Sequence, residues 1–493
     1  MSRSSTVVIG WVVAFSIALV SWYTPFLTPS LYDGARLFEL AILTLLGLVY
    51  LLDPNLRNAI YALLLAIPTR DRLSLATLIL LAGASAFHSR LVSLAWTEIT
   101  LFFLLLLFAL ICATLASNNK QFIDRIFVAS IAASTLLFAM HFVLAYSAAL
   151  NAGSTFDWVT PFVTFANIRH FSQFQAYTLP LAVLPMLVFN LPSRWRIASL
   201  LLASLWWSLN FSAGSRSVWV ALAFMTLAIS VFIGKKALPW LRIQGMALLL
   251  GALIYLVFAL ATNDFGQNRS YGLASIIARG VSGSGRTELW LAAWEMFCSS
   301  PWLGIGPMHF GFYNFQIAAH PHNALLQVAA EYGLLAALLV TFLAVRMLSR
   351  AIHWCRLAQS NEDQHLNIAL TASLVCGLTD SMFSGNTLMP QSQIVLFMVM
   401  GWLIGRNLHL RKISETNDGY RRSFFTCASH YSASHRWAQA AITIAVIVST
   451  GIQINGIRTY YNFMTRHGFA MISNSHPRYW NDGHWPADRS LYQ

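Results

Sequence analysis

His322 is the residue of this sequence best suited to act as a base, because an imidazole with a reference pKa of about 6.5 can accept a proton at neutral pH. It lies in His320-Pro-His322-Asn323, directly before an apolar stretch that is predicted to be a helix. Asn323 is a plausible cap for that helix, so a purely structural role for this polar pair is the alternative. His320 and Asn323 are therefore candidates for a supporting role beside His322.

Glu331 is a second candidate for acid–base catalysis, about two turns into the same predicted helix. Asn323, Gln327 and Glu331 recur every four residues and so form one polar stripe. An intramembrane carboxylate is rare unless it has a partner. The stripe therefore favours an interhelical hydrogen bond slightly over catalysis.

Arginines supply the second kind of chemistry, because the planar guanidinium fork matches phosphate better than the point charge of lysine does. Arg216 lies in a short turn, Ser215-Arg216-Ser217, between two apolar stretches, and Arg286 follows the glycine-rich segment 279–285 at the start of a predicted helix. Arg169 and Arg279 are weaker candidates of the same type. An arginine beside a helix N-terminus is a good site for an anion such as phosphate. Contact with lipid headgroups is the alternative for each of them.

A metal site is a less favoured prediction. His309, His320 and His322 could form part of a zinc site, but no carboxylate partner lies nearby at helical spacing. Acidic residues on the predicted outer side are sparse and no Asp-x-Asp motif occurs. The sequence therefore predicts neither a metal nor another cofactor.

The elements that must position these residues are membrane helices. The chain has 493 residues, of which 57% are hydrophobic and 10% charged, whereas soluble domains are about 25% charged. Many apolar blocks have the length needed to cross a bilayer. We predict an all-α polytopic bundle of 12 or 13 transmembrane helices. The predicted spans are 7–22, 36–52, 73–87, 92–116, 122–150, 171–191, 197–213, 217–233, 241–261, 322–346, 366–384, 391–408 and 437–453, with 58–67 at an interface.

The positions of the cations predict the orientation. With the N-terminus in the cytoplasm, 20 of the 31 Lys and Arg residues fall on the cytoplasmic side, including all four Lys. The long loop 262–321 then faces outward, and a loop of this length in a compact bundle is usually functional. The predicted organisation is nine spans in 1–261, this loop with its helix 287–298, further spans in 322–453 and a tail 454–493. The loop helix is expected to place Leu289, Ala292, Ala293 and Met296 on one face.

Charge and cysteine content exclude other classes. The net charge of +13 would suggest nucleic acid in a soluble protein, but in a membrane protein the position of each cation matters more than the sum. The five cysteines are scattered, without the spacing of a disulfide framework or a metal knuckle. We therefore expect a lipid bilayer and no nucleic acid as a partner.

Four motifs resemble those of the O-antigen ligase and polymerase superfamily. Residues 286–306, from Arg286-Thr-Glu-Leu-Trp290 to Pro301-Trp-Leu-Gly304-Ile-Gly306, resemble its GR…W…PxxGxG segment. His322-Asn323, nine residues and Gly333 resemble its His-(Asn/Ser/Gln)-x9-Gly signature, with Ala336 where Gly, Thr or Tyr is more usual. The turn at 215–217 and the segment 167–180 resemble two further arginine-containing motifs. The motifs cover about 160–340, and the block 437–453 and the tail lie beyond them.

This resemblance implies a GT-C-like fold and an inverting, metal-independent glycosyltransferase of the bacterial inner membrane. Such enzymes move a glycan from undecaprenyl pyrophosphate to a hydroxyl at the periplasmic face. For a ligase the acceptor is lipid A–core and the product is lipopolysaccharide. His322 would then be the base and Arg216 and Arg286 would bind the pyrophosphate, with Arg169 and Arg279 as weaker candidates. Neighbouring arginines would also keep His322 neutral, which is its basic form.

Three other functions remain open at this stage. An O-antigen polymerase or a protein O-oligosaccharyltransferase of the same superfamily would use the same machinery with another acceptor. A transporter of lipid-linked sugars is more remote, because it would favour two symmetric halves with charges near the bilayer midplane. The sequence shows neither feature.

Overall fold

The computed structural model describes most of the chain as one helical assembly. The residues that it describes are 3–21, 30–153, 162, 164–261, 285–313, 318–358, 360–417, 433–467 and 478–480.

Eleven helices precede the predicted outer loop. They are α1 (Arg3–Leu19), α2 (Leu31–Leu52), α3 (Pro54–Ala66), α4 (Thr69–His88), α5 (Val92–Asn118), α6 (Lys120–Asn151), α7 (Ile168–Thr178), α8 (Leu184–Val188), α9 (Ser193–Ala213), α10 (Arg216–Ile233) and α11 (Leu238–Ala261).

Two helices are described within this loop and five after it. They are α12 (Arg286–Ser299), α13 (His309–Tyr313), α14 (Ala324–Tyr332), α15 (Leu334–Leu357), α16 (Asn361–Asp380), α17 (Pro390–Asn417) and α18 (Ala433–His467).

Seven segments of the described chain are long and apolar enough to cross a membrane. One of them, Arg216–Ala261, contains both α10 and α11, joined by a 3₁₀ turn that carries Lys235 and Lys236. The prediction of a polytopic helical membrane protein is confirmed. Every predicted span overlaps at least one helix of the described residues, while the count of 12 or 13 crossings stays a prediction because several of these helices are less apolar. The segments are Leu31–Leu52, Val92–Asn118, Lys120–Asn151, Ile168–Val188, Arg216–Ala261, Leu334–Leu357 and Arg436–Asn462.

Two predicted spans are interrupted. Residues 171–191 form α7, a 3₁₀ turn at Leu179–Leu181 and the short α8, because Pro180 and Pro185 cannot donate to a continuous helix. Residues 322–346 are divided at Gly333, which lies between α14 and α15 with φ +85°. His322 and Asn323 at the start of the predicted span therefore lie just before a separate short helix, α14, and outside the long apolar α15.

Ion pairs join the helices at one end of the bundle. Arg346 on α15 pairs with Asp71 on α4 at 3.0 Å, and Arg406 on α17 pairs with Asp363 at 2.8 Å. Gln439 near the start of α18 donates to Asn58 on α3 at 2.9 Å. All of these contacts lie on the side that the sequence assigns to the cytoplasm.

At the opposite end, α18 finishes beside the beginning of α2. The Tyr460 hydroxyl donates to the Asp33 carboxylate at 3.1 Å, so α18 runs from the Asn58 end of the bundle to the Asp33 end. The described tail residues Arg478–Trp480 lie at this second end, where Arg36 of α2 donates to the Tyr479 carbonyl at 3.0 Å. The candidate site lies there too.

Candidate functional site

Four of the candidates, including the weaker candidate Arg169, lie at the beginnings of four helices. Arg169 is the second residue of α7, Arg216 the first of α10 and Arg286 the first of α12, while His322 stands two residues before α14. Each arginine therefore lies at the N-terminus of a helix, which carries about half a unit of positive charge. The arrangement favours an anionic ligand.

Local sequence explains why the helices begin at these residues. Asn167 caps α7 by accepting from the Arg169 backbone N–H at 2.9 Å. Gly214, with φ +60°, ends α9 and is followed by the Ser215 cap of α10. Asn323 caps α14 by accepting from the Leu326 N–H at 2.9 Å. The prediction that Asn323 is a helix cap is confirmed.

The arginines act on one another electrostatically. Partial burial lowers the pKa of Arg286, and the charges of Arg169 and Arg216 lower it further, whereas Asp380 opposes the shift. Arginine nevertheless remains protonated in proteins. Three like charges are thus held close enough to repel, and a bound anion would relieve that repulsion.

His322 faces the same cations. Its backbone lies in the left-handed region with φ +54°, which is uncommon for a residue other than glycine. Its ring contacts that of His320 edge-on at a centroid distance of 4.2 Å, and its N–H donates to His320 Nδ1 at 3.3 Å. Backbone strain of this kind occurs at sites where the surroundings fix one conformation.

Burial lowers the pKa of His322 to about 3, and Arg286, Arg169 and His170 contribute in that order. The expectation that neighbouring arginines keep the imidazole neutral is therefore confirmed in direction. The ring is therefore neutral across the whole physiological range. A bound anion would offset the arginine charges and raise this pKa, which would make His322 a stronger base in the complex than in the free protein.

Residues 198–341, less than a third of the chain, match the family model described as O-antigen ligase. This segment is similar to the O-antigen ligase family. The resemblance predicted from the motifs is confirmed for it, and it contains Arg216, Arg286 and His322, while Arg169 lies outside. No curated protein matches the chain.

A carboxylate that the sequence analysis missed lies near the segment 198–341. Asp380, the last residue of α16, is fully buried, accepts from Ser384 Oγ at 2.6 Å and Asn386 Nδ2 at 3.0 Å, and acts on Arg286. The Ala324 N–H of α14 donates to the Ser381 carbonyl at 2.9 Å, which joins this turn to the His322 segment. An acidic residue inside a predicted span is a functional signal that could have identified it.

The secondary candidates take structural positions. His320 is buried behind His322. The Glu331 carboxylate accepts from the Phe310 N–H at 3.0 Å and from Gln327 Nε2 at 3.2 Å, and it pairs with Arg478. The preference for an interhelical role of Glu331 over catalysis agrees with these contacts. Arg279 lies outside the described residues.

His309 is not available to a metal. Its Nδ1 hydrogen-bonds to the Pro307 carbonyl at 2.8 Å, and its Nε2 accepts from the Leu91 N–H at 3.0 Å. Within the described part of the chain, no group of three His, Cys, Asp or Glu side chains could hold a metal ion. The less favoured zinc alternative therefore has no geometric support.

The glycine-rich motif 301–306 supports α14 from behind. The Ile305 N–H donates to the Ala330 carbonyl at 2.9 Å, and the Gly306 N–H donates to the Glu331 carbonyl at 3.1 Å. A Cβ on Gly304 would overlap the backbone of Glu331. The motif thus holds α14, the helix that follows His322, through backbone hydrogen bonds.

Replacing Gly333 by alanine is expected to destabilise the protein. Gly333 has φ +85° and ψ 176°, a region that is nearly restricted to glycine, and an added Cβ would overlap the Trp302 carbonyl. The backbone strain alone should cost about 1–3 kcal/mol. The measurement is the thermal unfolding temperature in detergent, with Gly245→Ala as the control. Gly245 has open space around it inside α11, so its replacement should be neutral or slightly stabilising, and an equal loss for both variants would contradict the prediction.

The low pKa of His322 predicts an unusual pH dependence. If His322 is the base, kcat/KM should stay level from about pH 7.5 down to about pH 5, because the free protein keeps the imidazole neutral there. Stability should fall over the same window, because the unfolded state binds a proton below about pH 6.5 that the folded state does not. Activity must therefore be measured per folded molecule. A tenfold fall in kcat/KM per unit below about pH 6.5 would contradict this assignment.

Proposed function

We propose that the protein is an inverting, metal-independent glycosyltransferase that moves O-antigen polysaccharide from undecaprenyl pyrophosphate to a hydroxyl of lipid A–core. The observation that supports this proposal is that Arg216 acts electrostatically on Arg286, and Arg286 on His322, at one end of the bundle. All three residues lie in the segment 198–341, which is similar to the O-antigen ligase family. An anion site beside a neutral base is what transfer from a pyrophosphate requires.

The arginines would act on the leaving group. When the bond between the anomeric carbon and the pyrophosphate oxygen breaks, negative charge grows on the pyrophosphate. Arg216 and Arg286, supported by Arg169 and by the helix N-termini, are fixed cations at that place. Such preorganised charges lower the barrier because they need no reorganisation as the reaction proceeds.

His322 would act on the acceptor. The acceptor oxygen attacks the anomeric carbon from the face opposite the pyrophosphate, so the configuration inverts. Its proton passes to the neutral imidazole, which then becomes an imidazolium beside the released diphosphate. Asp380, whose charge acts on Arg286, would moderate the positive charge of the arginine cluster.

The proposed location is the bacterial inner membrane, with this end of the bundle facing the periplasm. Lys120 and Lys236 lie at the other end, where Lys120 pairs with Asp363 and Lys236 donates to the Arg356 carbonyl at 2.6 Å. Lysine-rich ends face the cytoplasm in most membrane proteins. The loop 262–321 would then be periplasmic, and the lipid-linked donor would reach the site from the outer leaflet.

Transfer with purified components tests the proposal. Wild-type protein, lipid-linked O-antigen and lipid A–core are incubated with EDTA, and the products are separated on a gel. Ligated lipopolysaccharide is the expected product. A longer lipid-linked glycan would make the protein a polymerase, and dependence on an added divalent metal would overturn the metal-independent mechanism.

A further inference from the structure

Three residues of the C-terminal tail form a buried segment in the bundle. Arg478, Tyr479 and Trp480 are each 2% exposed. Tyr32 donates to the Arg478 carbonyl at 2.6 Å, and the Trp480 ring stacks on Tyr460 at a centroid distance of 4.2 Å. This tail segment lies beyond the segment 198–341, yet its side chains are as buried as those of the core.

The Arg478 guanidinium joins two distant carboxylates. Its Nη2 lies 2.9 and 3.0 Å from the two oxygens of Glu98 on α5, and 2.5 Å from Glu331 on α14. Both carboxylates are buried, Glu331 completely. A buried carboxylate that loses its cation is strongly destabilising, so this one arginine matters to two helices.

Glu331 and Ala319 bracket the segment that carries His322. The Glu331 carboxylate holds α14 from its C-terminal end, and Arg478 Nη1 also points to the Ala319 carbonyl at 3.5 Å, just before His320. The Ser85 hydroxyl donates to the Glu331 carbonyl at 2.8 Å and anchors the same turn to α4. The position of the imidazole therefore depends on groups attached to Arg478.

We propose that Arg478 is a positioning residue, which fixes the segment 319–331 and thereby the strained backbone of His322. The inference rests on the proposed function for its effect on catalysis. Arg478 touches neither the arginine cluster nor His322. It should therefore affect the chemical step much more than the binding of the pyrophosphate.

Arg478→Met tests this in the full-length protein. We expect kcat per folded molecule to fall about 10- to 100-fold, since a misplacement of about 1 Å can have an effect of that size. The dissociation constant for undecaprenyl pyrophosphate should stay within about threefold, because Arg216 and Arg286 are intact. Arg478→Lys should recover part of the loss, and Arg458→Met, an exposed arginine of α18 at the same end, should have no effect.

Hydrogen exchange gives a second readout that needs no activity. Arg478→Met should speed exchange in 319–332 and leave α10 unchanged. If wild-type protein shows no transfer, the proposed function fails while the exchange result still decides the positioning role. Should Arg478→Met fold poorly, Glu98→Gln with Arg478→Gln removes one charge of each sign and allows the same measurements. Wild-type kcat together with unchanged exchange in 319–332 would overturn the proposal.

Discussion

His322→Ala is expected to lower the rate of glycan transfer by about 100- to 10,000-fold, the usual contribution of a positioned base. The imidazole is neutral and faces the arginines. No carboxylate of the described residues lies at the same place, so the variant would lack a base there. Transfer is measured with lipid-linked O-antigen and lipid A–core under saturating donor. The fall should appear in kcat, because the arginines that bind the pyrophosphate remain.

Two controls separate chemistry from folding. His88→Ala removes an exposed histidine at the last turn of α4, at the same end of the bundle, and should keep full activity. Asn323→Ala removes only the helix cap and should cost about 0.5–2 kcal/mol of stability. If His322→Ala kept near-full activity, the histidine would be part of a helix cap and Asp380 would be the next base to test.

The elements around the site were predictable because their signals are local. Apolar length predicted the spans, and the spacing of Leu289, Ala292, Ala293 and Met296 predicted the face of α12, which is confirmed by their packing against Phe310 and Ala330. Asn323 was predictable as a cap because capping involves only the next three residues. The sequence predicted that Arg216, Arg286 and His322 share one side of the membrane, but it did not show that their charges act on one another.

The parts that sequence reasoning missed depend on contacts between distant segments. Asp380 lies at the end of an apolar helix, and only the three-dimensional structure shows that its charge acts on Arg286. Arg478 is 147 positions from its partner Glu331, in a tail without apolar periodicity. The division of the predicted span at Gly333 has the same origin, because the Trp302 carbonyl lies where a side chain at position 333 would begin.

Arg286→Ala is expected to lower kcat/KM by about 100- to 1000-fold, as does the loss of one preorganised donor in other enzymes. Arg216→Ala should have a similar effect. The double variant should lose less than the product of the two, because both residues act on one ligand. Arg458→Ala is the matched control for the loss of an arginine at this end of the bundle.

The pH profile distinguishes the two arginines. Among the charged groups, Arg286 has the largest effect on the pKa of His322. Removing it should therefore raise that pKa and move the acid limb of kcat/KM to higher pH. Arg216 acts chiefly through Arg286, so Arg216→Ala should move the limb much less while it still weakens transfer. Equal displacement of the acid limb in both variants would contradict this division, and no displacement in either would show that His322 is not the base that the profile reports. The loss of rate would then come only from weaker stabilisation of the charge on the leaving pyrophosphate, because that stabilisation does not depend on which residue is the base.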